Sequence, residues 1–463
     1  MTLVRDRRFY YDLFRLSAPV ALQALLSVGV NMLDNIMVSS LGDTALSSVV
    51  MANQLTVFLD YFIRGIGGAS ALMIAQYWGG GDMPAIKRLF AVVLRFAFFV
   101  MFAVSAVVFI FPGACMRIFV TDEQMIAVGS GYLRIVCLSY IFSTLSQVIA
   151  SVLRAVEIVR ITLYLTLVSL VSNLFFNYAL IFGHFGFPAY GVNGAAAATV
   201  IARVIEFSFA LVYLFRVEKR VSFRFKDLFA RDKALFRDFI KFGLPVIIGD
   251  MQWGLVGSVK SMAVGRLGPV MVSAHSITET IMSLCFAFTT GMAGGACVTV
   301  GKSVGEGDKK KTVLYSRTIQ ILFAAAGAVL ATVLFLIRRI PVAFYTGVSD
   351  EVRALAVKFL AVGSVSIAGT AYHASCFTGI NRGAGDTRFV FIVDMLCGWL
   401  AVVPATFISA LVLGAPFTVV YFCTRCDQFF KWIIAAVRLN TGDKWIKNVT
   451  RKAEDRIPAA DNG

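Results

Sequence analysis

The sequence predicts an all-α polytopic membrane protein, with twelve transmembrane helices in two pseudo-symmetric six-helix lobes. Three observations lead there: an apolar composition, apolar runs of spanning length, and an internal duplication. Of the 463 residues, 58% are hydrophobic and 15% charged, and the mean hydropathy is +0.79, a balance foreign to water-soluble domains of this size. Runs of about 20 apolar residues recur along the whole chain, enough for a helix to cross a bilayer. Hydrocarbon offers no hydrogen-bond partner to exposed backbone, so spans must be helices or a closed barrel. Continuous runs without ten-residue alternation select helices.

The twelve spans fall near 14–39, 47–78, 87–111, 125–153, 160–182, 191–215, 239–265, 272–302, 313–337, 352–380, 388–411 and 416–438. Basic residues set their direction. Connections after odd-numbered spans are poor in Lys and Arg, with Arg117, Arg266, Arg338 and Arg339 as the exceptions. Those after even-numbered spans are rich in them: Lys87 and Arg88, Arg154 and Arg160, the stretch from Arg216 to Lys241, Lys309 to Lys311, and Arg382 with Arg388. The positive-inside bias therefore predicts a multi-pass protein of a prokaryotic inner or plasma membrane with both termini in the cytoplasm. The formal charge of +16 belongs to these connections rather than to one soluble face, and nucleic acid is not an expected partner.

The polar stretch 216–238 reads as a cytoplasmic linker or interfacial helix between an N-lobe (1–215) and a C-lobe (239–439). A basic tail (440–463) with Lys444, Lys447, Arg451 and Lys452 is expected on anionic headgroups or in solvent. The first span is too long for a signal peptide and no A-x-A site closes it. Eight cysteines lie almost all within spans, as small hydrophobes. The Cys423-x-x-Cys426 pair lacks the βαβ context of a redox motif.

Offsetting the chain against itself by 226 positions reveals the duplication. Asp12 meets Asp238, Pro19-Val20 meets Pro245-Val246, Leu41-Gly42 meets Leu267-Gly268, and Gly65 and Gly68 meet Gly291 and Gly294. Gly79-x-Gly81-Asp82 meets Gly305-x-Gly307-Asp308, and at an offset of 228 Leu153-Arg154 meets Asn381-Arg382. An even number of spans separates equivalent points, so the halves run the same way across the membrane, as in alternating-access transporters with a central cleft.

Ionisable groups inside spans are expensive, roughly 2.5 to 3.5 kcal/mol each for Asp, Lys or Arg at a helix centre, and mark function or a partner. Asp34 in span 1 is the leading one, and its repeat equivalent is Lys260. Asp60 and Arg64, four apart on span 2, read first as a local neutralising pair. Asn173 and Asn177 share a face of span 5, where interhelical bonding and a binding role are both open. Thr199 and Glu206 lie in span 6, with Arg203 and Glu206 read as a pair near a helix end. Asp250, Lys260 and Glu279 complete a candidate charge network with Asp60 and Arg64, mutual neutralisation being the plainer reading. His275 and His373 read as packed residues, and Asp394 is a further intramembrane acid. Pro19 and Pro245 fall in the first turns of their predicted spans, where a proline starts a helix or bends it. No G-x-x-x-x-G-K-[ST], G-x-S-x-G or H-E-x-x-H sequence occurs, so neither nucleotide-driven transport nor an enzyme is supported.

The chain resembles the multidrug and toxic compound extrusion (MATE) transporters of the MOP flippase superfamily. The resemblance is carried by LDNIMVSSLGDTALSSVVMANQ, IAQYWGGGD, NYALIFGHFGFPAYGVNGAAAAT, VGKSVGEGD and GINRGAGDTRF, in this order. It implies a secondary active antiporter, without a cofactor, that uses protons or sodium to expel cationic, amphipathic drugs or metabolites as the two lobes rock. It also implies a cation-coupling site of Asp34, Asn173, Asn177 and Thr199 with Pro19 as the hinge.

Members with that site carry a carboxylate where this chain has Asn177, and the loss of a negative ligand favours protons over sodium at Asp34. Acids of another branch correspond here to Trp253 and Ala371, and LRAVEIVR departs from the glycine-rich loop that GINRGAGDT keeps. A lipid-linked oligosaccharide or cell-wall precursor flippase of the same superfamily is the alternative. The expected partners are organic cations and the lipid bilayer, around a monomer, with no resident metal.

Overall fold

Lipid forces backbone pairing within each segment, and the chain answers with helices throughout. The computed structural model describes residues 3–345 and 348–450, the side chains of Asn31, Met32, Asn35, Ile36, Ser39, Asp43 and Thr44 apart. In order they are α1 (Arg7–Ser39), α2 (Asp43–Gly79), α3 (Met83–Ile110), α4 (Glu123–Ala155), α5 (Arg160–Phe182), α6 (Gly191–Val212), α7 (Lys233–Gly265), α8 (Pro269–Gly305), α9 (Lys309–Ile337), α10 (Asp350–Ala374), α11 (Thr387–Leu396), α12 (Phe417–Cys423) and α13 (Lys431–Asn440). Wider i→i+5 turns prolong α6 to Val217, α10 to Asn381 and α11 to Val412. Among the described residues there is no strand, and eleven helices are long and apolar enough to cross a bilayer.

The twelfth predicted span, 416–438, is the exception. It breaks after α12 into a 3-10 turn (Cys426–Phe429) and resumes as α13, where Arg425 pairs with Glu279 of α8 and Gln428 accepts from Thr370 of α10.

The repeat is exact in the backbone of the first two helices of each half. Helices α1 and α7 each have 33 residues and α2 and α8 each have 37, with boundaries offset by the 226 positions of the sequence repeat. The turns match too. Gly42 and Gly268 precede α2 and α8 at φ 100° and 93°, a region that only glycine enters without strain. Asp82 and Asp308 cap α3 and α9, each accepting a backbone N–H at 2.9 Å.

The helix ends extend beyond the hydropathy windows. α1 begins at Arg7 and α7 at Lys233, since polar residues continue a helix past the hydrocarbon, aided at α1 by Arg8 and Asp12 one turn apart, 3.8 Å between charged atoms. Pro19 and Pro245 therefore lie inside α1 and α7, not in first turns as the predicted starts imply. Each proline removes one backbone donor from the helix interior.

The chain forms two compact units, one spanning Leu22–Ile247 and the other holding the described chain up to Ala21 and from Ile248 onward. Helices α1 and α7 thus each run through both units, changing two residues after their prolines. Within the first unit, the end of its share of α7 meets α2 so closely that a Cβ on Gly65 would lie 2.6 Å from the Ile247 Cα. Within the second, a Cβ on Gly291 would lie 2.5 Å from the Ala21 Cα. These glycines admit backbone against backbone, a packing role.

The linker and the start of the tail are folded onto the units. In the 216–238 linker the Glu218 carboxylate accepts the backbone N–H groups of Arg220, Val221 and Ser222, and Phe223 is buried against Phe90, ring centres 4.6 Å apart. Between Val217 and Lys233 the helical part is a 3-10 turn, Phe225–Phe229, while the last six residues of the predicted linker already belong to α7. Beyond α13, Trp445 is fully buried and Lys447 reaches the buried Asp386 at 2.6 Å, which Arg438 also grips at 2.7 Å. Lys447 is therefore spent on protein rather than on headgroups. Arg451 and Lys452 lie outside the described residues.

The LRAVEIVR departure keeps its turn. Glu157 N–H bonds the Arg154 carbonyl at 2.9 Å and Ile158 N–H the Leu153 carbonyl at 2.8 Å, as Gly385 and Asp386 do with Arg382 and Asn381 at 2.9 and 2.8 Å. The difference is strain, since Glu157 takes φ 66° where its equivalent is Gly385 at 83°.

Alanine normally stabilises a helix relative to glycine. Here the sign reverses: Gly65→Ala and Gly291→Ala should each cost about 1 to 3 kcal/mol through overpacking, read as a lowered thermal midpoint in detergent. Raised midpoints would contradict the close approach.

Candidate functional site

In the Leu22–Ile247 unit, α1 carries Asp34 to α5. Asn177 donates through Nδ2 to Asp34 Oδ1 at 2.7 Å and to Asn173 Oδ1 at 3.1 Å. Residues four apart share a helix face, and that spacing places both amides beside the carboxylate. Asn173 and Asn177 are buried, at 6% and 2% exposure, while Asp34 is half-buried. The remaining amide oxygen, Asn177 Oδ1, is buried without a hydrogen-bond partner.

Thr199 stands apart from this cluster. Its hydroxyl donates to the Ala195 carbonyl on its own helix at 3.0 Å, and no bond joins it to Asp34, Asn173 or Asn177 among the described residues. One turn further along α6, Arg203 pairs with the buried Glu206 at 2.6 Å and bonds Ser169 Oγ on α5 at 3.3 Å, in electrostatic range of Asp34 and Asp60. The pairing of Arg203 with Glu206 is as expected, but it sits beside the carboxylates rather than snorkelling outward. Asp60 and Arg64 are exposed and make no ion pair within 4 Å among the described residues, although Arg64 is in electrostatic range of Asp60 as their spacing predicts. Helical proximity alone did not bring the charged atoms together.

The second unit distributes its charges differently from the predicted network of Asp250, Lys260 and Glu279. Asp250 is held in a two-pronged pair by Arg382, at 2.6 and 3.1 Å, and Glu279 by Arg425 at 2.7 Å with His275 at 3.8 Å. Lys260 donates to the Thr424 backbone carbonyl at 3.2 Å. That carbonyl ends α12, where the broken helix leaves acceptors unfilled. Lys260 and Glu279 stay in electrostatic range of one another, while Asp250 is neutralised by Arg382 instead.

A third cluster surrounds Lys431, which is 1% exposed. Its ammonium lies 2.8 Å from Asp394 and 3.2 Å from Asp427, over the Trp253 ring at 4.2 Å. His373 meets the Gly369 carbonyl at 3.0 Å, a packed histidine as expected. All eight cysteines are free thiols, Cys423 and Cys426 included.

Arg382, Arg425 and Lys431 were not legible as partners. Basic residues near span ends read as topology signals, and only the four-residue spacing of Asp427 and Lys431 within a predicted span hints at a buried pair.

Long membrane helices built twice on one pattern, with a carboxylate held by amides inside a span, define the class: a polytopic secondary transporter. The MatE family profile matches residues 19–179 and 245–420, starting each time at the helix-interior proline. The chain belongs to the MatE family, whose members are transporters and not enzymes. It is 28% identical over 401 residues to a probable multidrug resistance protein NorM of Rhizobium meliloti, covering 83% of each chain. It is 25% identical to the multidrug resistance protein PmpM of Pseudomonas aeruginosa, over 86% of this chain and 83% of that one. The fold matches a mutant of the Vibrio cholerae MATE transporter VcmN with a TM-score of 0.85 at 14% identity, over 95% of this chain and 99% of that one.

Leaving one buried charge without its partner costs more than removing both. Arg382→Gln should therefore destabilise by about 3 kcal/mol, and adding Asp250→Asn should restore much of the loss. A double-mutant cycle on thermal unfolding checks this, and simple additivity would rule out the pairing.

Proposed function

We propose that this transporter is a proton-driven antiporter that exports cationic, amphipathic small molecules, as a monomer in a bacterial inner membrane with both termini cytoplasmic. The observation that carries it is the Asn177–Asp34 contact. Oxygen Oδ1 of the carboxylate is committed to an amide N–H, which leaves Oδ2 to take up or lose a proton. A sodium ion in the same place asks for oxygen ligands, and Asn177 presents N–H there.

In this reading, Asp34 binds a proton from outside as the substrate departs, and loses it inward when a new cation arrives. Proton and organic cation exclude each other because one carboxylate cannot balance both, and this opposition couples the gradients. Arg203, in electrostatic range, lowers the appetite of the site for a permanent second cation. The orientation rests on the distribution of basic residues. Relatives described as multidrug resistance proteins support the substrate class and give the flippase alternative no footing.

The test is efflux of a fluorescent organic cation from vesicles under an imposed proton gradient and, separately, an imposed sodium gradient. Wild-type efflux should follow the proton gradient, and Asp34→Asn should abolish it while the protein still inserts. Full efflux by that variant ends the assignment. Restoring a second carboxylate with Asn177→Asp should add sodium-driven efflux, because a hard cation then gains an anionic ligand. If wild type already responds to sodium alone, the proton reading fails.

A further inference from the structure

Four cations converge where α9 ends and α10 begins, away from the candidate site and the buried ion pairs. Helix α9 ends at Ile337, a short helical turn spans Arg339–Ala343, and α10 starts at Asp350. Between them lies a cavity of about 700 Å³ lined by Arg338, Arg339, Arg353 and Lys358 over apolar side chains that include Val342 and Val357. No acidic residue lines it. Arg353 alone is paired, with Asp350 at 2.5 Å, a carboxylate whose side chain is 96% exposed. Arg338 donates to the Phe335 carbonyl and lies 4.0 Å over that ring, while Arg339 and Lys358 have no acidic partner within 4 Å among the described residues.

Ordinary explanations cover these cations singly but not together. A cation at a helix C-terminus, such as Arg338, meets the negative end of the dipole, and a long basic side chain near a helix end can snorkel. Neither accounts for four facing one cavity. Like charges gathered in one place repel, and Arg338 and Arg339 run against the bias that sets the topology. Lys358 stands eight residues into α10, ~12 Å along its axis, within a helix long and apolar enough to cross a bilayer, where an unneutralised charge is a cost. An anion would relieve all of these costs at once.

We propose that the pocket binds the phosphate headgroup of an anionic phospholipid. The choice of a lipid over a soluble anion rests on the apolar floor and on the flank beside it, where Leu336, Ile340 and Phe344 are 72%, 59% and 81% exposed. A headgroup there neutralises the cations while its acyl chains cover these side chains. The site is independent of the coupling chemistry at Asp34, which lies in the other unit.

The test is equilibrium binding to the purified full-length protein in micelles, with phosphatidylglycerol, phosphatidylcholine of the same chain length and inorganic phosphate as separate probes. Phosphatidylglycerol should bind saturably with one site per chain, and the other two at least tenfold more weakly, the free phosphate lacking the apolar contacts. Arg338→Gln with Arg339→Gln should weaken phosphatidylglycerol roughly thirtyfold, and Lys358→Gln alone about fivefold, at the usual strength of a cation near anionic lipid. Arg266→Gln, another exposed cation in a connection after an odd-numbered helix, should leave binding unchanged. Elution as a single species shows that each variant is folded, and Lys358→Gln, an exposed single change, keeps the test alive if the double variant is not. Wild-type binding by both pocket variants, an equal loss in Arg266→Gln, or equal binding of phosphatidylcholine overturns the proposal. Inorganic phosphate binding as tightly as the lipid also overturns it, in favour of a soluble anion.

Discussion

A charge or an unpaired backbone carbonyl in hydrocarbon costs several kcal/mol, and the protein interior is arranged to leave very few. Asp250 takes Arg382, Glu279 takes Arg425, and Asp394 and Asp427 share Lys431. Where the twelfth segment breaks, its open carbonyl at Thr424 receives the Lys260 ammonium. That contact fills one acceptor of the irregular stretch, which Arg425 on Glu279 and Thr370 on Gln428 also hold in place. The broken segment and its ion pairs stand or fall together.

The same constraint explains how two copies of one backbone came to hold different chemistry. Helices α1 and α7 agree in length and in the placement of their prolines, and their backbones two residues past those prolines meet equivalent glycines, Ala21 against Gly291 of α8 and Ile247 against Gly65 of α2. At position 34 of that frame stands an acid bonded to the neutral amide of Asn177, with Arg203 in electrostatic range. At its equivalent, position 260, stands a base spent on closing a broken helix. A carboxylate held by amides keeps an oxygen available for exchange, whereas an ammonium holding backbone together does not. The duplication supplies the scaffold twice and the exchangeable group once.

Surface segments follow the same economy at lower stakes. The linker after α6 and the chain after α13 each fold back on the turn that ends the fourth or tenth helix, through Arg220 on the Val156 carbonyl and Lys447 on Asp386. The two turns share a hydrogen-bond pattern although one has lost its glycine. Docking therefore follows the geometry of the turn more than its sequence.

Composition and repeat alone determined that this chain is a duplicated helical membrane protein, since hydropathy and spacing are one-dimensional properties that lipid converts directly into helices. They also marked Asp34, because an acid in an apolar run is conspicuous without knowing its neighbours, and the four-residue spacing of Asn173 and Asn177 put both amides on one face. The partners came only from tertiary structure. Asp250 meets Arg382 and Lys447 meets Asp386 across 132 and 61 residues, and nothing local distinguishes a basic residue that sets topology from one that neutralises a buried acid. Whether Asp60 and Arg64 touch, whether Thr199 faces the carboxylate, and where a span breaks depend on which side chains arrive from elsewhere, a question of packing that no single segment answers.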